Sequence, residues 1–149
     1  MRRTFAQAAA AGALALPMLA GFGGPAHAET NPSCSRVTQI GSTAHITSGG
    51  KTFASVKQFK GCNKNWAYIY VWGSWRSSHK SWNACASVTT RSGSGRTTVE
   101  GPRCKSGRFT ELWSYGTATL SKCTRALGWI GHGPFPGSGA RKASTSERC

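Results

Sequence analysis

Four side chains in the body of this sequence could move protons: His45, His79, Glu100 and Glu111. A histidine or glutamate pair beside arginines is what a small basic ribonuclease uses for acid–base catalysis. Glu100 and Glu111 are also the two carboxylates that a sugar hydrolase of this length would have to bring together. A Ser-His-Asp hydrolase lacks its parts here, because the chain has no aspartate and no G-x-S-x-G nucleophile motif. The four candidates share no motif of fixed spacing, and so they read as surface residues of a binding or structural domain. The expectation is a protein that is not an enzyme and needs no cofactor.

Sulfur chemistry comes next. Cys34, Cys62, Cys85, Cys104, Cys123 and Cys149 are an even set, and no two lie closer than 19 residues. That spacing holds no C-x-x-C knuckle, and no two histidines have ligand spacing, so no metal site is expected. Six cysteines in an exported domain read as three disulfides.

Export is itself legible. Arg2 and Arg3, the apolar run Ala8 to Ala20 and the small-x-small triplet Ala26-His27-Ala28 form a secretory signal peptide over 1–28. Its apolar run is short, rich in Ala and Gly and broken by Pro17, which argues against a transmembrane anchor. The chain is therefore expected outside the cell, starting at Glu29. Residues 29–149 keep seventeen Lys and Arg against four Glu, a net charge of +13. Such a field draws anionic partners, anionic cell-wall polymers among them. Trp75, Arg76, His79 and Lys80 interleave rings and cations most tightly, as a surface for anions or stacked rings would.

The elements that must position these groups are strands. Cys62 to Trp82 carries four of the six tryptophans and two of the three tyrosines. Trp66, Tyr68, Tyr70 and Trp72 alternate with Ala67, Ile69 and Val71, which predicts a strand covered on both faces and a core built largely from tryptophan. Arg36–Ile40, Thr43–Thr47, Thr52–Phe59, Trp82–Thr90, Arg108–Tyr115, Thr117–Lys122 and Ala126–Ile130 are the other strand candidates. No amphipathic helix is visible beyond the signal segment. Arg91 to Arg96 reads as a hairpin turn, and folding the chain about Ser94-Gly95 sets Cys85 opposite Cys104. Facing residues of an antiparallel pair are close enough for a disulfide, so Cys85–Cys104 is the best single pair.

The resulting organisation is an all-β fold, a small disulfide-stabilised β-sandwich or partly open barrel of about seven to nine short strands over residues 36–130. Residues 29–35 are expected as a flexible lead-in tethered at Cys34. Residues 131–149, rich in Gly, Pro and Ser, are expected to lack regular structure except where Cys149 pins them.

The step Cys62-Asn63-Lys64-Asn65-Trp66-Ala67 resembles one in small secreted cysteine-rich β proteins of Gram-positive bacteria. With its size, export and cysteine number, the chain resembles the small adaptor subunit of the umbrella toxin particles of streptomycetes. That resemblance implies a non-enzymatic adaptor in competition between bacteria, linking a lectin-bearing subunit to a large toxin subunit. Glu29, Thr30, Asn31, Pro32 and Ser33, polar and ahead of the first cysteine, are the candidate partner-binding segment. A free cationic antimicrobial or wall-binding protein is the alternative, and a small nuclease a third.

Overall fold

In the computed structural model, which describes residues 29–131, 133 and 135–149, the chain is a β-sandwich of two four-stranded antiparallel sheets. The expected signal segment, 1–28, lies outside the described residues. Sheet one has the order β1 (Thr38–Ser48), β2 (Lys51–Gly61), β3 (Lys64–Val71), β6 (Glu111–Trp113). Sheet two has the order β5 (Thr97–Gly107), β4 (Trp82–Arg91), β7 (Thr124–Ile130), β8 (Arg141–Ser144). Among the described residues no helix is long and apolar enough to cross a membrane.

The alternation read from the sequence sets both faces of β3. Ala67, Ile69 and Val71 point inward with Val56 of β2 and meet Ala84, Ala86, Val88 and Ala126 of sheet two. This layer is made of small and branched residues, and it is thin. A Cβ placed on Gly128 of β7 would come within 2.5 Å of Val56. A glycine is required there because the two sheets approach too closely for a side chain.

The tryptophans therefore do not fill the layer between the sheets, which corrects the expectation of a tryptophan-built core. Of the six, only Trp82 is a buried member of that layer, with Trp75 packed at its margin. Trp66 and Trp113 lie on the outer face of sheet one with Phe59 and Tyr68. Trp129, fully buried, lies on the outer face of sheet two by its alternation with Gly128. Trp72 is 43% exposed, so the cover over the aromatic row of β3 ends before its last member.

Three disulfides join Cys34 to Cys62, Cys85 to Cys104 and Cys123 to Cys149. The expected Cys85–Cys104 bridge is present, but for a subtler reason than a simple hairpin. Arg91 pairs with Thr97, so the turn pivots on Ser94 rather than between Ser94 and Gly95. Continued unbroken, that register would put Arg103 opposite Cys85. A bulge lies between the Val88–Glu100 and Ala86–Arg103 pairs. It gives β5 one extra residue there, at Gly101 and Pro102, and brings Cys104 opposite Cys85. Gly101 has φ +56°, a backbone conformation that glycine adopts without strain.

Other differences are local. Arg36–Ile40 and Thr43–Thr47 merge into the single strand β1, which carries a register shift between Ile40 and Ala44 around Gly41. The strand expected over Arg108–Tyr115 shrinks to Glu111–Trp113. Thr117–Lys122 is not a strand: Thr117 bridges to Asn65, and the chain then turns, with Lys122 N donating to Thr119 O. The tail is not devoid of regular structure, because Arg141–Ser144 adds β8 to the edge of sheet two. Thr124 and Arg148 then exchange two backbone hydrogen bonds beside the Cys123–Cys149 bridge.

Candidate functional site

The sequence places Trp75, Arg76, His79 and Lys80 in a loop, whereas Gly73–Ser78 is a single helical turn, α1. Its start is fixed by Trp75 N and Arg76 N, which both donate to Trp72 O. The turn lays the Trp75 indole against Phe53, with centroids 4.5 Å apart and planes at 27°. His79 stacks on the same indole at 3.5 Å and 11°. Two near-parallel rings this close to one indole cannot share a face of it, so Trp75 is held between Phe53 and His79. Arg141 of β8 closes the group, its guanidinium 5.8 Å from the Phe53 centroid and 5.9 Å from that of Trp75.

The four expected residues thus divide. Trp75 and His79 meet, Arg76 turns away to donate to Thr110 Oγ1 at 3.3 Å, and Lys80 is exposed. With both faces covered, Trp75 offers no open platform to a base or a sugar. The stack ties α1 and β2 to β8. Phe53 and Arg141 are the members that sequence reasoning missed, since nothing local to either residue pairs it with Trp75.

The proton-moving candidates separate as well. Glu111 accepts a 2.7 Å hydrogen bond from the Tyr68 hydroxyl on the outer face of sheet one. Burial, then that bond and the charge of Glu111, hold the Tyr68 phenol well above the ordinary tyrosine range. Glu100, in sheet two, accepts from Thr90 Oγ1 at 3.3 Å. His79 has its Nδ1 3.1 Å from Trp75 O and 3.0 Å from Ser78 Oγ. His45 is exposed on β1, opposite Ser55. Among the described residues Cys123, Glu147 and Cys149 form the cluster with metal-like spacing. Both sulfurs are in a disulfide, so neither is a thiolate ligand.

The segment Glu29–Ser33 lies against the domain. Glu29 pairs with Lys57 of β2, Asn31 is buried, and Asn31 Oδ1 accepts from Ser33 N at 2.8 Å. Cys34 is buried among Phe59, Trp66, Tyr68 and Trp113. The lead-in expected as flexible over 29–35 thus has Glu29 and Asn31 engaged with the domain, while Cys34 is the tether expected of it. Thr30, Pro32 and Ser33 remain exposed.

Charge is the feature with the widest reach. Two ion pairs occur among the described residues, Lys57–Glu29 and Arg125–Glu147. The other two glutamates bond to hydroxyls. Of the seventeen lysines and arginines in 29–149, fifteen therefore have no carboxylate partner among the described residues. No protein-family model, curated protein or solved structure matches this chain.

Proposed function

We propose that this chain is an exported, non-enzymatic binding protein whose partner presents negative charge. In the adaptor form implied by the resemblance, that partner is another secreted subunit of an interbacterial toxin particle, and the chain holds subunits together. The observation that carries the reading is the set of fifteen cations without a carboxylate partner on a frame stitched by three disulfides. A frame of this kind holds the backbone that carries these charges, so docking a complementary surface has side chains to order but not the fold. The acid–base candidates are dispersed, and Glu100, Glu111 and His79 are engaged elsewhere, which favours binding over catalysis.

The same charge favours a second reading, a free protein that coats anionic wall polymers. Salt separates the two. Fractionation of culture supernatant at about 0.5 M salt, where the Debye length is only a few Å, should leave an adaptor inside a larger particle. A polymer binder should run alone there, because binding driven by counterion release collapses. The purified protein should neither cleave RNA nor kill bacteria. Cleavage or killing at nanomolar dose would replace both readings with a nuclease or toxin.

A further inference from the structure

The outer face of sheet two carries a groove that gives one of the unpaired cations, Arg91, a defined setting. It encloses about 320 Å³ and is lined by Thr89, Arg91, Thr97, Arg125, Leu127 and Glu147, among others. Its position follows from strand register. Thr89 pairs with Arg125, Arg91 with Thr97, and Leu127 with Ser144, so β4, β5, β7 and β8 all contribute to one floor. Cys123, bridged to Cys149, is also part of the lining.

The chemistry of the lining is specific. Arg125 donates to Glu147 Oε1 through Nε at 3.3 Å and Nη2 at 3.1 Å, so the two charges offset each other at the rim of the groove. Arg91 has no carboxylate partner, which leaves the groove with one net positive charge. Thr89, Thr90 and Ser144 already donate their hydroxyl hydrogens to Arg125 O, Glu100 and Ala126 O, so they offer acceptor oxygens, Thr97 offers a free donor, and Leu127 supplies an apolar patch. The lining has no aromatic ring, so a nucleobase would find nothing to stack on. The size lies at the small end of ligand pockets, about 300–1,000 Å³.

We propose that this groove binds a single saccharide unit carrying one negative charge, a phosphate or a carboxylate. Arg91 receives the anionic group. The Arg125–Glu147 pair offers an adjacent donor and acceptor to neighbouring ring hydroxyls, and Leu127 meets the C–H face of the ring. The proposal rests on the lining of the groove alone and stands whether or not the adaptor reading does.

The test titrates the secreted, disulfide-bonded protein at 0.15 M salt with glucose 6-phosphate, glucuronate, glucose and inorganic phosphate, following backbone amide shifts by NMR. Either anionic sugar should move the amides of Thr89, Leu127 and Ser144 in a saturable way, and the tighter of the two identifies the anionic group. Glucose and inorganic phosphate should each bind at least tenfold more weakly. Arg91→Ala and Arg125→Ala should each weaken the anionic sugar at least tenfold with the melting temperature nearly unchanged, as both side chains are exposed. The proposal is overturned by no saturable binding, by inorganic phosphate or glucose binding as well as the anionic sugars, or by unaltered affinity in the Arg91→Ala, Arg125→Ala double variant.

Discussion

The two outer faces of this sandwich are built on one plan and put to different uses. Each sheet carries a terminal segment that a disulfide pins: Cys34–Cys62 holds one on the outer face of sheet one, and Cys123–Cys149 holds the other along the β7 edge of sheet two, where Arg148 pairs with Thr124. On sheet one the segment seals a cluster of Phe59, Trp66, Tyr68 and Trp113. Tyr68 and Trp113 lie 4.8 Å apart, and Phe59 and Trp113 4.9 Å. On sheet two only one end is sealed, around Trp129, whose Nε1 donates to Gly133 O at 3.3 Å. The other end, from Thr89 to Ser144, is hydroxyl-bearing and open. Where the layer between two sheets is thin, large rings gain most of their burial outside it, and the face that receives them becomes a second core. The face that does not receive them stays available for a ligand.

The largest effect should therefore come from sheet one. Trp66→Ala empties a buried aromatic site and should cost about 3–5 kcal/mol in urea unfolding. Trp72→Ala, just past the end of β3 and 43% exposed, should cost clearly less. Equal costs for the two would mean that the aromatic face is not sealed as described. Neither change should alter sugar binding in the groove.

Next in size is the clasp over that face. Cys34→Ser with Cys62→Ser should cost about 2–5 kcal/mol, the usual loss for one bridge in a small secreted domain. It should also raise binding of a hydrophobic dye, since Cys34 packs directly on the aromatic cluster. A stability loss without added dye binding would show that the bridge acts on the unfolded chain alone.

The sequence makes some of this difference legible and hides the rest for identifiable reasons. The period-two alternation from Trp66 to Val71 separates the two faces of β3 correctly, because side chains of a strand must alternate. It cannot say which row faces the partner sheet, since both rows are apolar. That is decided by the thinness of the layer at Gly128 and Val56, a contact between distant residues. The Cys85–Cys104 pairing is reached from a hairpin centre half a residue off, and the bulge at Gly101 compensates. Gly101-Pro102 within a strand signals a bulge on its own. The tail reads as irregular from its Gly, Pro and Ser content, yet Arg141–Ser144 finds an open edge on β7. Edge pairing of this kind is a tertiary event that composition does not encode. The groove escaped notice for the same reason, as its residues come from four strands and share no local pattern.

The smallest effect at neutral pH, and the sharpest test of the sealed face, lies at Tyr68. Tyr68→Phe keeps the ring and removes only the hydroxyl that bonds Glu111, so at pH 7 it should cost about 1 kcal/mol. The difference from the parent protein should change in alkali. Burial and the Glu111 contact raise the Tyr68 phenol above its unfolded value of about 10. The folded state therefore keeps its proton where the unfolded chain begins to lose it. The stability this adds is fully present below pH 10 and is lost as pH rises from there towards the folded value. Unfolding free energies measured between pH 8 and pH 11 should fall more steeply for the parent than for Tyr68→Phe above about pH 10. The gap between the two proteins should narrow over the same interval. Parallel curves would mean that Tyr68 titrates freely, which a sealed aromatic face does not allow.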